Sequence, residues 1–122
     1  MTILNEKHAG LVSLLAKSGS SILQSLDSEK CHLWHMATGI AGEAGELLDA
    51  VKKHVIYNKD LDIENVIEEL GDLEFYMQGL REKLNLGREE ILQKNYDKLS
   101  VRYKDGYSDS AAQIREDKIL SA

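Results

Sequence analysis

The sequence predicts an all-α protein, an antiparallel bundle of four to five helices that assembles into an oligomer. Three observations predict this class. The 122 residues include no proline and only 6% aromatic residues, whereas a β-sandwich or barrel needs many turns and β-forming side chains. Apolar residues recur every three or four positions along most of the chain. Charged residues of both signs make up 30% of it, which is typical of solvated helices.

The first part of the chain predicts one helix followed by a connection. Apolar residues have helical spacing from about Thr2 to Ala16. The next stretch, 17–28, is rich in serine, and we expect a connection there with a short apolar interruption. Asp27 or Ser28 is expected to cap the helix that follows.

The second predicted helix, from about Glu29 to Tyr57, contains an unusual run of glycines. Gly39, Gly42 and Gly45 occur at intervals of three residues. Each glycine costs a helix interior about 1 kcal/mol relative to alanine. Close approach of a second helix or of a ligand to bare backbone would account for them.

Three further helices are predicted after a turn. The third, 62–85, has the most regular apolar stripe in the chain, which predicts packing along its whole length. Gly87 precedes the fourth, 88–103. Ser110, with Gln113 three residues later, predicts a capping box for a short last helix that ends near residue 120.

These elements predict a single domain in three parts. They are an N-terminal helix with its connection (1–26), the core helices (27–103) and a C-terminal tail with a short helix (104–122). Four short helices leave apolar stripes on more than one face, notably on the third helix. We therefore expect a homodimer or a tetramer.

Charge and composition exclude several kinds of protein. The chain has 15 basic and 21 acidic residues and a net charge of −6, which argues against binding to a nucleic-acid polymer through its phosphates. The lone Cys31 excludes an intrachain disulfide and a cysteine zinc site, and we expect it to be a small buried hydrophobe. The sequence has neither a signal peptide pattern nor an apolar run of about 18 residues. We expect a cytoplasmic protein that does not contact a membrane.

Two pairs of acidic residues lie on the flanks of the apolar stripes. Glu43 and Glu46 are three residues apart on the second helix, and Glu69 and Asp72 are three apart on the third. Side chains at this spacing share a helix face about 5–6 Å apart, so two antiparallel helices could bring all four into one cleft. Two like charges about 5 Å apart repel by about 3 kcal/mol at an effective dielectric of 20. Such a cluster takes up protons or holds cations.

Oxygen ligands without histidine or cysteine suit Mg²⁺ or Mn²⁺. Mg²⁺ usually keeps several waters and completes its shell with substrate phosphate oxygens. Ordinary pairing of the same acids with lysines on solvated helix flanks is the alternative. The spacing alone does not decide between a metal site and a charged flank.

The segments that contain these acids resemble the MazG-like branch of the all-α nucleoside triphosphate pyrophosphohydrolases. Residues 42–53, GEAGELLDAVKK, and 68–76, EELGDLEFY, are similar to the two core helices of that family. Residues 95–103, NYDKLSVRY, resemble its segment with Asn, Lys-Leu and Arg-Tyr. Residues 107–118, YSDSAAQIREDK, resemble the tail of small phage and bacterial members. The resemblance covers about residues 36–118.

The resemblance implies a reaction and a set of site residues. A (deoxy)nucleoside triphosphate would be cleaved to the monophosphate and pyrophosphate, for control of the nucleotide pool. The catalytic residues would be Glu46 and Glu43, of which Glu46 is expected to take the proton of the attacking water. The ligands of Mg²⁺, with Mn²⁺ as a substitute, would be Glu43, Glu46, Glu69 and Asp72. The expected contacts to the triphosphate are Lys53, Asn95, Lys98, Arg102 and Tyr103.

The pocket for the base is expected near the start of the second helix. Trp34 and His35 lie two to three turns before the carboxylates, and either ring could stack on a base. Trp34 also suits a packing role within the protein, and histidines are common on surfaces and in cores.

Two other functions stay open on the sequence. The first is the related phosphoribosyl-ATP pyrophosphohydrolase of histidine synthesis, against which the tail at 107–118 and the segment at 95–103 argue. The second is a helical oligomer that binds nucleotides or a partner protein without turnover. Loss of metal ligands would mark such a protein, whereas all four carboxylates are present here.

Overall fold

In a computed structural model, which describes residues 2–120 apart from the side chain of Leu120, the chain folds into helices and the described residues form no strand. The helices are α1 (Ile3–Leu15), α2 (Gly19–Ser25), α3 (Ser28–Val55), α4 (Ile63–Leu84), α5 (Arg88–Arg102), α6 (Asp109–Ile114) and α7 (Glu116–Leu120). The all-α prediction is confirmed. The chain divides into two compact units, Met1–His35 and Met36–Ala122.

The first unit contains one helix more than the sequence predicts. Thr2 caps α1 by accepting a hydrogen bond from the backbone N–H of Asn5 at 3.2 Å. The stretch expected to be a connection contains α2, because Ser18 accepts a hydrogen bond from the N–H of Ser21 at 3.1 Å and so caps a helical turn. Serines therefore start a helix here and do not mark an irregular loop.

Aspartates begin the two long helices. Asp27 accepts a hydrogen bond from the N–H of Lys30 at 2.8 Å at the start of α3, and Asp62 accepts one from the N–H of Asn65 at 3.1 Å at the start of α4. Both satisfy backbone donors that have no partner inside the helix. Between these helices, Asn58 adopts a left-handed conformation with φ 53°, which helps the chain reverse direction.

Within the second unit, α3 and α4 pack antiparallel through two glycines. The ring of Tyr76 lies against the backbone of Gly39, and the sulfur of Met36 lies against Gly79. The two contacts occur in opposite order along the two sequences, which shows that α3 and α4 are antiparallel. Close approach of a second helix thus accounts for Gly39, as the sequence suggests.

The other two glycines of the run have a different environment. A β-carbon at Gly42 or Gly45 would meet no atom of the described residues within 4 Å apart from those of its own helical turn. Among the described residues only Met36 and Ala50 are buried, each 6% exposed. The apolar stripe expected to pack along the whole third predicted helix is divided in α4. Its half-buried members are Val66, Leu73, Met77 and Leu80, whereas Ile63, Ile67, Leu70 and Leu84 are exposed.

The C-terminal helices follow tight turns. Asn85, with φ 55°, ends α4 in the left-handed conformation, and the Glu90 carboxylate accepts a hydrogen bond from the N–H of Gly87 at 2.7 Å at the start of α5. The expected cap at Ser110 is wrong, because Ser108 accepts the hydrogen bond from Ala111 N–H at 3.0 Å instead. The predicted last helix is also interrupted where Arg115 turns left-handed, with φ 54°.

Over residues 2–120, none of the helices combines the length and the apolar character needed to cross a lipid bilayer.

Candidate functional site

Three carboxylates meet where α3 and α4 cross. Glu43 comes from α3, and Glu69 and Asp72 come from α4. One carboxylate oxygen of each residue lies within 4.8 Å of the others. The contact of Gly39 with Tyr76 lies about one helical turn away on both helices. The tight crossing therefore positions the acidic group.

Glu69 has the least favourable environment of the three for a bare negative charge. Its side chain is half-buried, and its Oε2 atom is inaccessible to solvent and has no hydrogen-bond partner among the described residues. Burial raises the pKa of Glu69, and a hydrogen bond with Glu43 raises it further. The negative charges of Glu43, Asp72 and Glu46 act in the same direction. In the absence of a cation, Glu69 therefore takes up a proton more readily than an ordinary glutamate.

Glu46 stands apart from this group. It is exposed on α3 and does not share the 4.8 Å cluster, although its charge is near enough to raise the pKa of Glu69. The structure thus brings together three of the four carboxylates that the sequence singles out. A carboxylate next to the cluster but outside it is suited to accept a proton rather than to share one cation with the others.

The cluster has the chemistry of a site for a hard divalent cation. Its three donors are carboxylate oxygens, the ligand type that Mg²⁺ and Mn²⁺ prefer. The unpaired Oε2 of Glu69 is a buried acceptor with no donor, and a cation would satisfy it. Asp72 is exposed, so one side of the cluster is open to water or a ligand. The residues present fit Mg²⁺.

The expected triphosphate contacts on α3 and the middle of α5 have different surroundings. Lys53 forms an ion pair with Asp49, one turn earlier on α3, at 3.2 Å. Lys98 is half-buried, whereas Asn95, one turn before it, is exposed. Exposed ion pairs of this kind are weak, so Lys53 can exchange its partner.

The two expected contacts at the end of α5 are held by the C-terminal tail. The Nε atom of Arg102 donates a hydrogen bond to Asp117 Oδ1 at 2.9 Å. The ring of Tyr103 lies 5.5 Å from that of Tyr107, centroid to centroid. Sequence reasoning missed Asp117, because its partner is 15 positions away and an acid in a charged tail gives no periodic signal.

The residues expected to bind the base lie in the first unit and at its end. Trp34 is 75% exposed and lines an apolar cavity of about 550 Å³ with Leu26 and Cys31. The packing interpretation of Trp34 is therefore wrong. The expected burial of Cys31 is wrong, because its side chain is exposed and lines the same cavity. His35 follows Trp34 on α3 and is also exposed.

Comparison with known proteins identifies the family. Residues 33–107 match the MazG nucleotide pyrophosphohydrolase domain, which is more than half of the chain. The chain belongs to the MazG family. It is also 33% identical over 79 residues to the "Gene 37 protein" of Mycobacterium phage L5, an alignment that covers 61% of this chain and 68% of the phage protein. No solved structure matches the chain significantly.

Membership of the MazG family confirms the resemblance drawn from the acidic segments. It indicates nucleotide pyrophosphohydrolase activity in general and a nucleotide as the substrate. The cluster of Glu43, Glu69 and Asp72 lies inside the matched range, 33–107. Helices α1, α2, α6 and α7 lie outside it.

Proposed function

We propose that this chain hydrolyses a (deoxy)nucleoside triphosphate to the monophosphate and pyrophosphate with Mg²⁺, or Mn²⁺ in its place, and so controls the nucleotide pool. The observation that carries the proposal is the three-carboxylate cluster, with its buried and unpaired Glu69 oxygen, in a chain of the MazG family. Among the described residues, no lysine or arginine forms an ion pair with Glu43, Glu69 or Asp72 of the kind that would explain them as an ordinary charged flank.

Each carboxylate has a distinct task in this proposal. Glu43, Glu69 and Asp72 hold the cation, and their convergence from two helices fixes its position. When bound, Mg²⁺ supplies positive charge to the phosphate oxygens and lowers the pKa of coordinated water. Glu46, exposed and beside the cluster, accepts the proton of the attacking water.

Cationic and polar side chains bind the rest of the substrate. Lys53, Lys98 and Arg102 contact the phosphates, because the triphosphate carries more negative charge than Mg²⁺ can offset when three carboxylates already surround the cation. Asn95 and Tyr103 donate further hydrogen bonds on α5, and Trp34 or His35 stacks on the base.

We also propose that two copies associate through apolar faces of α3 and α4. Leu48 and Val55 are 68% and 64% exposed on α3, and Ile67 is 62% exposed on α4. With Val51, Ile63 and Leu70 they form stripes at spacings of three and four residues. Single exposed hydrophobes are common on monomers, but continuous stripes mark an interface. A homodimer, or a pair of dimers, would cover them.

A product assay tests the reaction. The pure protein is incubated with Mg²⁺ or Mn²⁺ and with each of the common dNTPs and NTPs, and pyrophosphate is measured separately from phosphate. We expect pyrophosphate and a monophosphate, abolished by a chelator. Release of single phosphates would contradict the proposal. Turnover of phosphoribosyl-ATP alone would favour histidine synthesis, and nucleotide binding without turnover would favour a binding module.

Two matched variants connect that assay to the site. Glu46→Gln is expected to keep the fold and to lower turnover by about a hundredfold or more, because general-base catalysis contributes about 10²–10⁴-fold. Glu68→Gln, an exposed glutamate of α4 outside the cluster, is the control and should retain activity. Wild-type turnover by the Glu46 variant would remove its assigned role.

A further inference from the structure

Gly42 is a glycine of α3 that the packing of the chain does not explain. Gly39 lies against Tyr76, whereas a β-carbon at Gly42 would meet no atom of the described residues beyond its own helical turn. Gly42 is exposed in the interior of a helix of 28 residues. Glycine weakens a helix interior relative to alanine, and an alanine would fit here without a clash. The reason for glycine at this position therefore lies outside the contacts of the single chain.

Gly42 shares a stripe of α3 with residues that take part in the proposed reaction. Positions 42, 46, 49 and 53 follow one another at intervals of four, three and four residues, which places them on one helix face. All four are exposed. The ion pair between Asp49 and Lys53, at 3.2 Å, shows that side chains one turn apart on this stripe are in contact. The stripe thus combines Glu46, the proposed proton acceptor, and Lys53, a proposed phosphate contact, with bare backbone.

The order of residues along the stripe indicates which part of a nucleotide meets Gly42. The Cα–Cβ bonds of a helix tilt toward its N-terminus, so Glu46 leans toward position 42. Along the helix axis, Gly42 lies about 6 Å before Glu46, and Lys53 lies about 10 Å after it. With the phosphates at Lys53 and the attacked α-phosphoryl group beside Glu46, the next group in the direction of Gly42 is the pentose.

We propose that the pentose of the substrate passes over the bare backbone of Gly42, in the space that a side chain at this position would fill. This rests on the proposed function, in which Lys53 contacts the phosphates and Glu46 accepts the proton of the attacking water. Gly42 is then a specificity-determining position, because a side chain there excludes the nucleoside and leaves the path of the phosphates open. Gly45 is about 100° around the helix from Glu46, against about 40° for Gly42, and so offers a control on another face.

Two ligands distinguish contact with the pentose from contact with the phosphates. The first is the α,β-methylene analogue of the triphosphate that the product assay finds to be turned over best, which contains base and sugar but cannot be cleaved between the α- and β-phosphates. The second is inorganic tripolyphosphate, which lacks both base and sugar. Calorimetry in the presence of Mg²⁺ measures the affinity of each ligand without requiring turnover.

We expect Gly42→Leu to weaken binding of the analogue tenfold or more, the effect of a steric overlap in a tight contact. Its affinity for tripolyphosphate should stay within about twofold of wild type, because a side chain at position 42 does not reach the phosphates at Lys53. Gly42→Ala should show the same pattern with a smaller loss. Gly45→Leu, the matched control, should bind both ligands as wild type does.

Melting temperatures separate loss of the pentose contact from damage to the fold. Gly42→Ala should melt at or above the wild-type temperature, because alanine has the higher helix propensity. Mg²⁺ should raise the melting temperature of both Gly42 variants as it does for wild type, because the three-carboxylate cluster is unchanged. A lower melting temperature of Gly42→Ala, or an altered mass in light scattering, would assign Gly42 to a contact between helices or copies and overturn the proposal.

Three binding results would also overturn it. They are wild-type affinity of Gly42→Leu for the analogue, equal losses of affinity for the analogue and for tripolyphosphate, and a loss in Gly45→Leu equal to that in Gly42→Leu. Should Gly42→Leu fail to fold, Gly42→Ala and Gly45→Ala provide the same comparison. A wild-type protein that neither hydrolyses nucleoside triphosphates nor binds their analogues would instead contradict the proposed function.

Discussion

Gly39 of α3 lies directly against the ring of Tyr76 of α4, so closely that a β-carbon at position 39 would overlap the ring. The contact sets the distance between the two helices at their crossing. Glu43 lies one turn along α3 and Asp72 one turn along α4 from this point. The spacing of the carboxylates therefore depends on a glycine that does not itself belong to the site.

Gly39→Ala is expected to destabilise the protein by about 1–3 kcal/mol, the usual cost of inserting a methyl group into a tightly packed contact. Gly45→Ala is the matched control on the same helix, where a β-carbon meets open space. It should stabilise by about 0.5–1 kcal/mol through helix propensity. Urea unfolding measures both variants. Equal effects would show that the Tyr76 contact does not determine the crossing, and a loss of stability in Gly45→Ala would indicate an additional contact there between copies.

Local chemistry explains which parts of the fold the sequence predicts. Helical periodicity predicts α1, α3 and α4, and Asp27 and Asp62 cap α3 and α4 because short acidic side chains reach the first free N–H groups. The serine-rich stretch predicts a connection but contains α2, because serine favours both turns and N-caps. Only the contact that Ser18 makes distinguishes the two.

Contacts between distant positions explain what the sequence does not predict. The spacing places Glu43 and Glu46 on one helix face, but the position of the crossing at Gly39 decides which of them lies near Glu69. The pairing of Arg102 with Asp117 likewise depends on the left-handed turn at Arg115, which sends α7 back toward α5. Neither the crossing at Gly39 nor the turn at Arg115 produces a periodic pattern in the sequence.

Removing the charge of Glu69 should separate two effects of the cluster, the repulsion between its carboxylates and its binding of Mg²⁺. Glu69→Gln is expected to raise the melting temperature of the metal-free protein, because the charges of Glu43 and Asp72 no longer face a third one. It should also abolish the stabilisation by Mg²⁺, which for wild type reaches about 2.7 kcal/mol at a hundredfold excess over Kd. Thermal unfolding with and without Mg²⁺ measures both effects. A metal-induced shift in Glu69→Gln equal to that of the Glu68→Gln control would contradict the site.

The ion pair between Asp117 and Arg102 predicts a dependence of stability on pH. The hydrogen bond from Arg102 lowers the pKa of Asp117 below its ordinary value of 3.8, although burial opposes the shift. A carboxylate whose pKa is lower in the folded state stabilises the fold above its unfolded pKa, and this contribution is lost as the pH falls through the folded pKa. The difference in melting temperature between wild type and Asp117→Asn should therefore be constant near neutral pH and shrink below 3.8. If the difference in melting temperature persisted in acid, the packing of the Asp117 side chain rather than its charge would hold the tail.

The exposed apolar stripe on α4 predicts that one charged substitution within it prevents two copies of the chain from associating. Ile67 is 62% exposed, and in a two-fold symmetric dimer each substitution acts twice. Burying an isoleucine side chain contributes about 1.5–3 kcal/mol, and Ile67→Glu both removes this gain and places two carboxylates in an apolar interface. Light scattering after size exclusion should give the monomer mass for Ile67→Glu and the oligomer mass for wild type. Lys83→Glu, at an exposed charged position of the same helix, is the control and should remain oligomeric. An unchanged mass for Ile67→Glu would place the interface on another face, and a monomeric wild type would remove the proposed association altogether.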